Sequence, residues 1–269
     1  MAMQTRNIMM VVSYDGTSYS GFQKQRHTKK QTIQEVLENA LAKITGHAVY
    51  VKGSGRTDAG VHALAQVVNF HTHGRIPTAR IKTAVNSLLP CDIVVKEARE
   101  ADRDFHARFF STAKTYLYQV CCAEVRPAIG YRYFMHHPGA LNLAAMEQAA
   151  AYFPGEHDFS SFCASGSLAK STVRNIYQFT LEKFGNTLYV MVTANGFLYQ
   201  MMRRMVGTLL AVGEGRIPPE RIPGLLSECD RKGAGRTAPP QGLILARVYY
   251  DRPEKFPALE DFLDKGLYL

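Results

Sequence analysis

The segment Gly55-Arg56-Thr57-Asp58-Ala59-Gly60-Val61-His62 is a polar turn between two stretches that read as strands. Residues 48–52 lead into it with β-formers. Residues 61–73 leave it, with Ala63, Ala65 and Val67 on one face and Leu64, Val68 and Phe70 on the other. Gly55 and Gly60 bracket the turn, so its backbone is expected to reach positive φ and to let a partner come close. Inside it sits one carboxylate, Asp58, two residues after Arg56. A lone buried carboxylate is costly, and a neighbouring guanidinium favours its ionised form. An ionised Asp on a glycine-bounded loop is what a carboxylate nucleophile needs. The same residues also make an ordinary Asx-turn with a surface ion pair, and spacing alone leaves both readings open.

Working outward, residues 8–14 read as a strand. Thr32-x-x-Glu35 is a capping box opening a helix with Ile33, Val36, Leu37, Ala40, Leu41 and Ile44 at helical spacing, and Gly46 is placed to end it. A second helix runs from about Thr78 and stops before Pro90; a strand at 93–97 follows. Strand, helix, strand, strand, helix, strand predicts a helix-backed, largely antiparallel α+β sheet. Residues 98–110 are polar and charged and mark a junction, giving an N-terminal domain over 7–103, a C-terminal domain over 110–250 and a tail over 251–269.

The second half repeats the order without visible sequence repetition. A strand at 114–122 is followed by a helix capped by Asn142. The serine-rich stretch 155–174 reads as a long surface loop, and 176–183 with 187–194 as a hairpin across Gly185-Asn186. A helix over about 197–212 carries the apolar stripe Phe197, Met201, Met205, Leu209 and Val212, which puts Arg203 on the opposite, solvent-facing side. A short helix at 222–229 and a strand at 243–250 close the half.

The chain has 269 residues, 46% apolar and 20% charged, a globular composition with enough length for a real core. Its 32 Lys+Arg against 23 Asp+Glu leave a net charge of +9, which suits an anionic partner such as nucleic acid as well as simple solubility. Five cysteines with no Cys-x-x-Cys fit reduced thiols in a cytoplasm better than a disulfide scaffold or zinc site. No signal peptide or apolar run of spanning length is present, so neither secretion nor membrane insertion is expected. His71-x-His73 lacks an accompanying Cys or carboxylate motif and reads as a strand end; no metal is expected. No phosphate-cradling or dinucleotide glycine fingerprint occurs, and no cofactor is expected. The loop after residue 14 mixes Tyr19 and Phe22 with Lys24, Gln25, Arg26, Lys29 and Lys30. Cations there would hold phosphates and rings would stack on bases, or the loop is simply mobile and basic.

GRTDAGVHA closely resembles the catalytic motif of the TruA family of tRNA pseudouridine synthases. Matching pieces follow in order: Tyr14-Asp15-Gly16-Thr17 with Gly21-Phe22-Gln23-Lys24-Gln25, Asp104-Phe105-His106-Ala107-Arg108-Phe109, Lys114-Thr115-Tyr116-Leu117-Tyr118, Asn195-Gly196-Phe197 with Met202-Arg203, and Ala238-Pro239 with Gly242-Leu243. The resemblance covers about residues 7–250. Where the family usually carries Trp, this chain has Phe22, and it has no Trp at all.

The resemblance implies two ferredoxin-like halves joined into one long, mainly antiparallel sheet, with helices on one side and an active cleft at the junction. It implies conversion of uridine to pseudouridine at positions 38, 39 and 40 of the tRNA anticodon stem–loop, by a cytoplasmic homodimer with tRNA as its partner. Asp58 is then the nucleophile, Arg56 holds RNA phosphate and a flipped nucleotide, and Arg203 pairs with the carboxylate. Tyr116 stacks on the target uracil, unless it is a core tyrosine on its strand. Leu243 packs on the base or belongs to the core. Lys24, Gln25, His106 and Arg108 are further RNA contacts. Two other readings compete: an RNA-binding protein without catalysis, which shares the charge and the aromatics but gains nothing from a carboxylate, and a nucleoside glycosidase, which would need a second carboxylate that the motif does not supply.

Overall fold

The computed structural model describes residues 5–25, 30–167 and 169–263. The chain divides into two compact units, residues 1–112 with 244–251 and residues 113–243 with 252–269.

In the first unit the order is β1 (Arg6–Tyr14), α1 (Ile33–Thr45), β2 (Lys52–Gly53), β3 (His62–Thr72), α2 (Thr78–Asn86) and β4 (Ile93–Ala101). β1 lies between β3 and β4 and is antiparallel to both; Val11 faces Val67 on one side and Glu97 on the other. β1 and β3 bury Ile8, Met10, Val12, Val68 and Phe70. The capping box of α1 is complete: the Thr32 hydroxyl accepts from the Glu35 N–H, and Glu35 accepts from the Thr32 N–H at 2.8 Å. Gly46 closes the helix at φ 78°, where a side chain would be strained. The strand expected over 48–52 shrinks to the two residues of β2, antiparallel to Asn69 and Val68.

In the second unit β5 (Ala113–Cys121) and β6 (Met135–His136) precede α3 (Leu143–Ala150), β7 (Gly155–Asp158), β8 (Val173–Phe184), β9 (Thr187–Ala194), α4 (Met201–Gly213) and α5 (Arg221–Glu228). β5, β9, β8 and β7 are successive antiparallel neighbours, while β6 runs parallel to β5. Asn142 caps α3, accepting from the Ala145 N–H at 3.1 Å. The hairpin turns at Gly185, φ 55°. The 155–174 surface loop is corrected in its first half. There β7 pairs with β8, and Phe159, Ser161, Phe162 and Cys163 are buried, with Phe153 packing on Phe159, Phe162 and Phe179 at centroid separations of 5.2–6.5 Å. The serines masked a segment whose aromatics need burial. α4 begins later than its stripe predicts because Gln200 takes φ 58°, a left-handed conformation that breaks helical continuity.

The last strand, β10 (Leu243–Tyr249), runs parallel to β3 through Ile244–His62 and Leu245–Ala63. Residues 244–251 therefore pack with the first unit, not with the second half to which chain order assigns them. Their neighbours return to the second unit, where the short α6 (Glu260–Leu263) buries Phe262 and ring contacts join Tyr177 to Phe256. The architecture is α+β, a mixed but mainly antiparallel set of ten strands with six α-helices among the described residues. No described helix is long and apolar enough to cross a membrane. Among the described residues no His, Cys, Asp or Glu cluster could hold a metal ion, and the five thiols are free.

Candidate active site

In the first unit the Asp58 turn is gripped from several sides. The Val61 N–H donates to the Asp58 carbonyl at 3.1 Å, closing a β-turn whose third residue, Gly60, has φ 78°. Gly55 does not take a positive φ, so only one of the two bracketing glycines is needed for backbone reasons. Gln66 reaches back from β3: its Nε2 donates to the Gly55 carbonyl at 3.0 Å, and its Oε1 accepts from the Ser54 hydroxyl at 2.6 Å. The buried Tyr14 and Thr57 hydroxyls share a 2.7 Å hydrogen bond. Burial pushes the Tyr14 phenol up to about 12, although Thr57 and Gln66 bonds oppose it.

The loop after β1 closes over the turn. The Phe22 N–H donates to the Thr57 carbonyl at 3.0 Å, and the α1 N-terminus donates to the Gly21 and Phe22 carbonyls. A Cβ on Gly21, φ 86°, would lie 2.6 Å from the Thr57 carbonyl oxygen; one on Gly16 would lie 2.0 Å from that of Val61. Only glycine fits at either place. His62 Nδ1 lies 3.1 Å from both the Gly16 N–H and Asp15 Oδ1. Deprotonated, that nitrogen accepts from Gly16; protonated, it donates to Asp15. Burial alone would raise the Asp15 carboxyl, but bonds from His62 and from the Thr17 hydroxyl and N–H hold it well below the usual carboxylate range. Asp58 is partly exposed and Arg56 exposed at the rim of this scaffold.

The loop's aromatics are corrected as stacking groups. Tyr19 is buried and its hydroxyl donates to Asp92 Oδ1 at 2.6 Å; Phe22 is buried over Gly53, whose missing Cβ would meet the ring at 2.4 Å. Lys24 and Gln25 are exposed, with Lys24 Nζ 3.9 Å from Glu38. Lys30 is exposed too, whereas Arg26 and Lys29 lie outside the described residues. Arg108 is exposed and 5.9 Å over the Phe109 ring, which also contacts His106. Partial burial, then the Lys52 charge, push the His106 ring below its usual range. This segment hangs on two buried asparagines: Asn7 donates to the Asp102 and Phe105 carbonyls, and Asn69 accepts from the Ala107 N–H at 2.9 Å.

In the second unit Tyr116 is buried in the middle of β5, opposite Val192, with its ring edge-on to Phe197 at 4.8 Å. Arg203 is not the solvent-facing side chain its helical phase predicts. It is partly buried, its Nε donates to the Ala238 carbonyl at 2.7 Å, and its own carbonyl accepts from the Ala238 N–H. Gly207 and Gly235 allow this contact, since a Cβ on Gly207 would lie 1.7 Å from the Arg236 carbonyl oxygen. Tyr118 then donates to the Pro239 carbonyl at 2.7 Å and lies under Gly242, which delivers Leu243, buried, to the start of β10. The sequence assigns roles to Asp58, Tyr116 and Arg203 but none to the residues that hold them: Tyr14, Gly16, Gly21, Gln66 and Tyr118. A polar Gln66 in an otherwise core-facing strand position was the available signal.

The family model of tRNA pseudouridine synthases matches residues 10–109 and 149–251. A tRNA pseudouridine synthase A of Caldicellulosiruptor saccharolyticus is 48% identical over 245 residues, covering 91% of this chain and 100% of its own length. Proteins of the same name from Caldicellulosiruptor bescii and a Thermoanaerobacter species are 46% and 45% identical over the same shares. The chain belongs to the tRNA pseudouridine synthase family.

Proposed function

We propose that this protein converts uridine to pseudouridine at positions 38, 39 and 40 of the tRNA anticodon stem–loop. The observation that carries the reading is the Asp58 turn, a partly exposed carboxylate on a loop fixed by Tyr14, Gln66 and two obligatory glycines, in a family member of nearly full-length match. In the reaction the N1–C1′ bond breaks, the uracil turns, and C5 bonds to C1′. The C5 proton leaves and N1 gains one, so the change is an isomerisation that needs no other reactant. Asp58 is the nucleophile; attack at C1′, attack at C6 and assisted elimination from the sugar all use the same carboxylate.

Arg56, exposed beside it, binds phosphate and holds the flipped nucleotide; flipping costs a few kcal/mol and least near a loop. Tyr116 stacks on the uracil and is a candidate for moving the C5 proton. Arg203 is the charge partner that keeps Asp58 ionised, and Leu243 packs on the base. Lys24, Gln25, His106 and Arg108 add backbone contacts. In this reading the two halves are ferredoxin-like, share one long sheet with helices on one side, meet at the active cleft, and work in the cytoplasm as a homodimer. Modification of three neighbouring positions fits recognition of tRNA shape through phosphates and 2′-hydroxyls, as the net charge of +9 permits.

The test is pseudouridine mapping of an unmodified tRNA carrying uridines at 38, 39 and 40, incubated with the protein alone. Pseudouridine at those positions is expected. Binding without modification would favour the non-catalytic RNA-binding reading, and modification elsewhere would discard the specificity.

A further inference from the structure

The second unit carries a group of guanidiniums to which the reaction above gives no role. Arg204 follows Arg203 on the first turn of α4. Its Nη2 donates to the Arg231 carbonyl at 2.8 Å, while its Nε is buried without a hydrogen-bond partner among the described residues. Arg231 is exposed, and its Nε points back to the Ser160 carbonyl at 3.4 Å. Among the described residues Arg174 donates to the Ser171 and Val173 carbonyls, and it lies against Gly196, where a Cβ would be 3.4 Å from its Nε. Arg204 and Arg231 are joined by that hydrogen bond, and the buried Cys163 is a common electrostatic neighbour of Arg174 and Arg204.

The charges there are unbalanced. Among the described residues none of the three arginines is ion-paired with a carboxylate. Two carboxylates are nearby, Asp158 bonded to Thr172 and Ser160 and Asp230 to the Lys232 N–H, so three guanidiniums stand against two carboxylates. Burial, then repulsion by Arg231, lowers the Arg204 pKa. The fully buried Ser161 hydroxyl, next to the carbonyl that Arg231 reaches, also has no partner among the described residues. Guanidiniums in excess of their counter-charges are costly, and the cost is offset where an anion arrives; their planar forks match phosphate oxygens. The neighbourhood also adjoins a proposed substrate group. Gly196, against Arg174, precedes Phe197, the ring that contacts Tyr116, and the Tyr199 carbonyl accepts from the Ala164 N–H.

We propose that Arg174, Arg204 and Arg231 form a binding site for a backbone phosphate of the tRNA, flanking the nucleotide that Tyr116 receives. The proposal rests on the function given above.

It is tested by tRNA affinity over a salt series. Arg231→Gln, at an exposed position where folding is not at stake, and Arg204→Gln each lower the slope of log K against log salt by about 1, while turnover at saturating tRNA is retained. Arg231→Lys keeps the slope. Arg216→Gln, whose parent side chain is already paired with Glu214, leaves it unchanged. Wild-type slopes in both Arg231→Gln and Arg204→Gln overturn the phosphate site. Wild-type protein that neither binds nor modifies tRNA would instead overturn the function on which it rests.

Discussion

Asp58 stands on an irregular turn, while Tyr116 and Arg203 stand inside a strand and a helix. The turn has no ladder to hold it, so its position is built from side chains and glycines contributed by β1, β3 and the loop before α1: Tyr14 to Thr57, Gln66 to Gly55, His62 to Gly16 or Asp15, and Gly16 and Gly21 against its carbonyls. Tyr116 receives its position from the β5–β9 register, and Arg203 from one turn of α4 docked on Ala238. A side chain on a loop thus needs more dedicated partners than one on a regular element, and those partners should be more sensitive to change.

The largest effect should come from a methyl group. Gly16→Ala and Gly207→Ala both drive a Cβ into backbone and should each cost about 2–4 kcal/mol in denaturant melts. Only Gly16→Ala should also lower kcat far beyond the lost folded fraction, because it displaces the turn. Equal specific activities of the folded fractions would break the comparison.

Tyr14→Phe removes one hydroxyl and should cost about 1 kcal/mol. Its kcat should fall about tenfold with KM unchanged, which steady-state kinetics on tRNA would read; a change in KM alone would place Tyr14 outside the positioning of Asp58.

The Asp15 carboxyl gives a pH signature. Its folded pKa lies below the unfolded value, so its contribution to stability is complete above about pH 4 and drains as pH falls toward the folded pKa. Thermal melts of the wild type should therefore lose stability below that pH more steeply than those of Asp15→Asn. Parallel curves would remove the His62 and Thr17 bonds from the account.

Lys24→Ala should be the smallest change, within about 0.5 kcal/mol, since its pairing with Glu38 is long and its ammonium exposed. A larger shift in its melting curve would mean that the loop before α1 is held from its surface as well as from its glycines.

Much of this was legible in the sequence where local rules act alone. The capping box at Thr32 and Glu35, the Gly46 stop, the Asn142 cap and the Gly185 turn follow from neighbours in the chain. What the sequence hid depends on distant partners. Residues 155–174 read as polar because their serines outnumber their rings, yet Phe159 and Phe162 join Phe153 in the core. Arg203 points away from its helix's apolar stripe, yet the Gly207 and Gly235 approach brings Ala238 to it. Gly16 and Gly21 stood in a recognised motif, but that they face the Thr57 and Val61 carbonyls is visible only after folding.

The most direct measurement is single-turnover pseudouridine formation by Asp58→Asn alongside its tRNA affinity and melting temperature. The account predicts a loss of ~10⁴-fold or more in rate, with folding and tRNA affinity close to wild type. A folded Asp58→Asn that still forms pseudouridine within tenfold of the wild-type rate would contradict it.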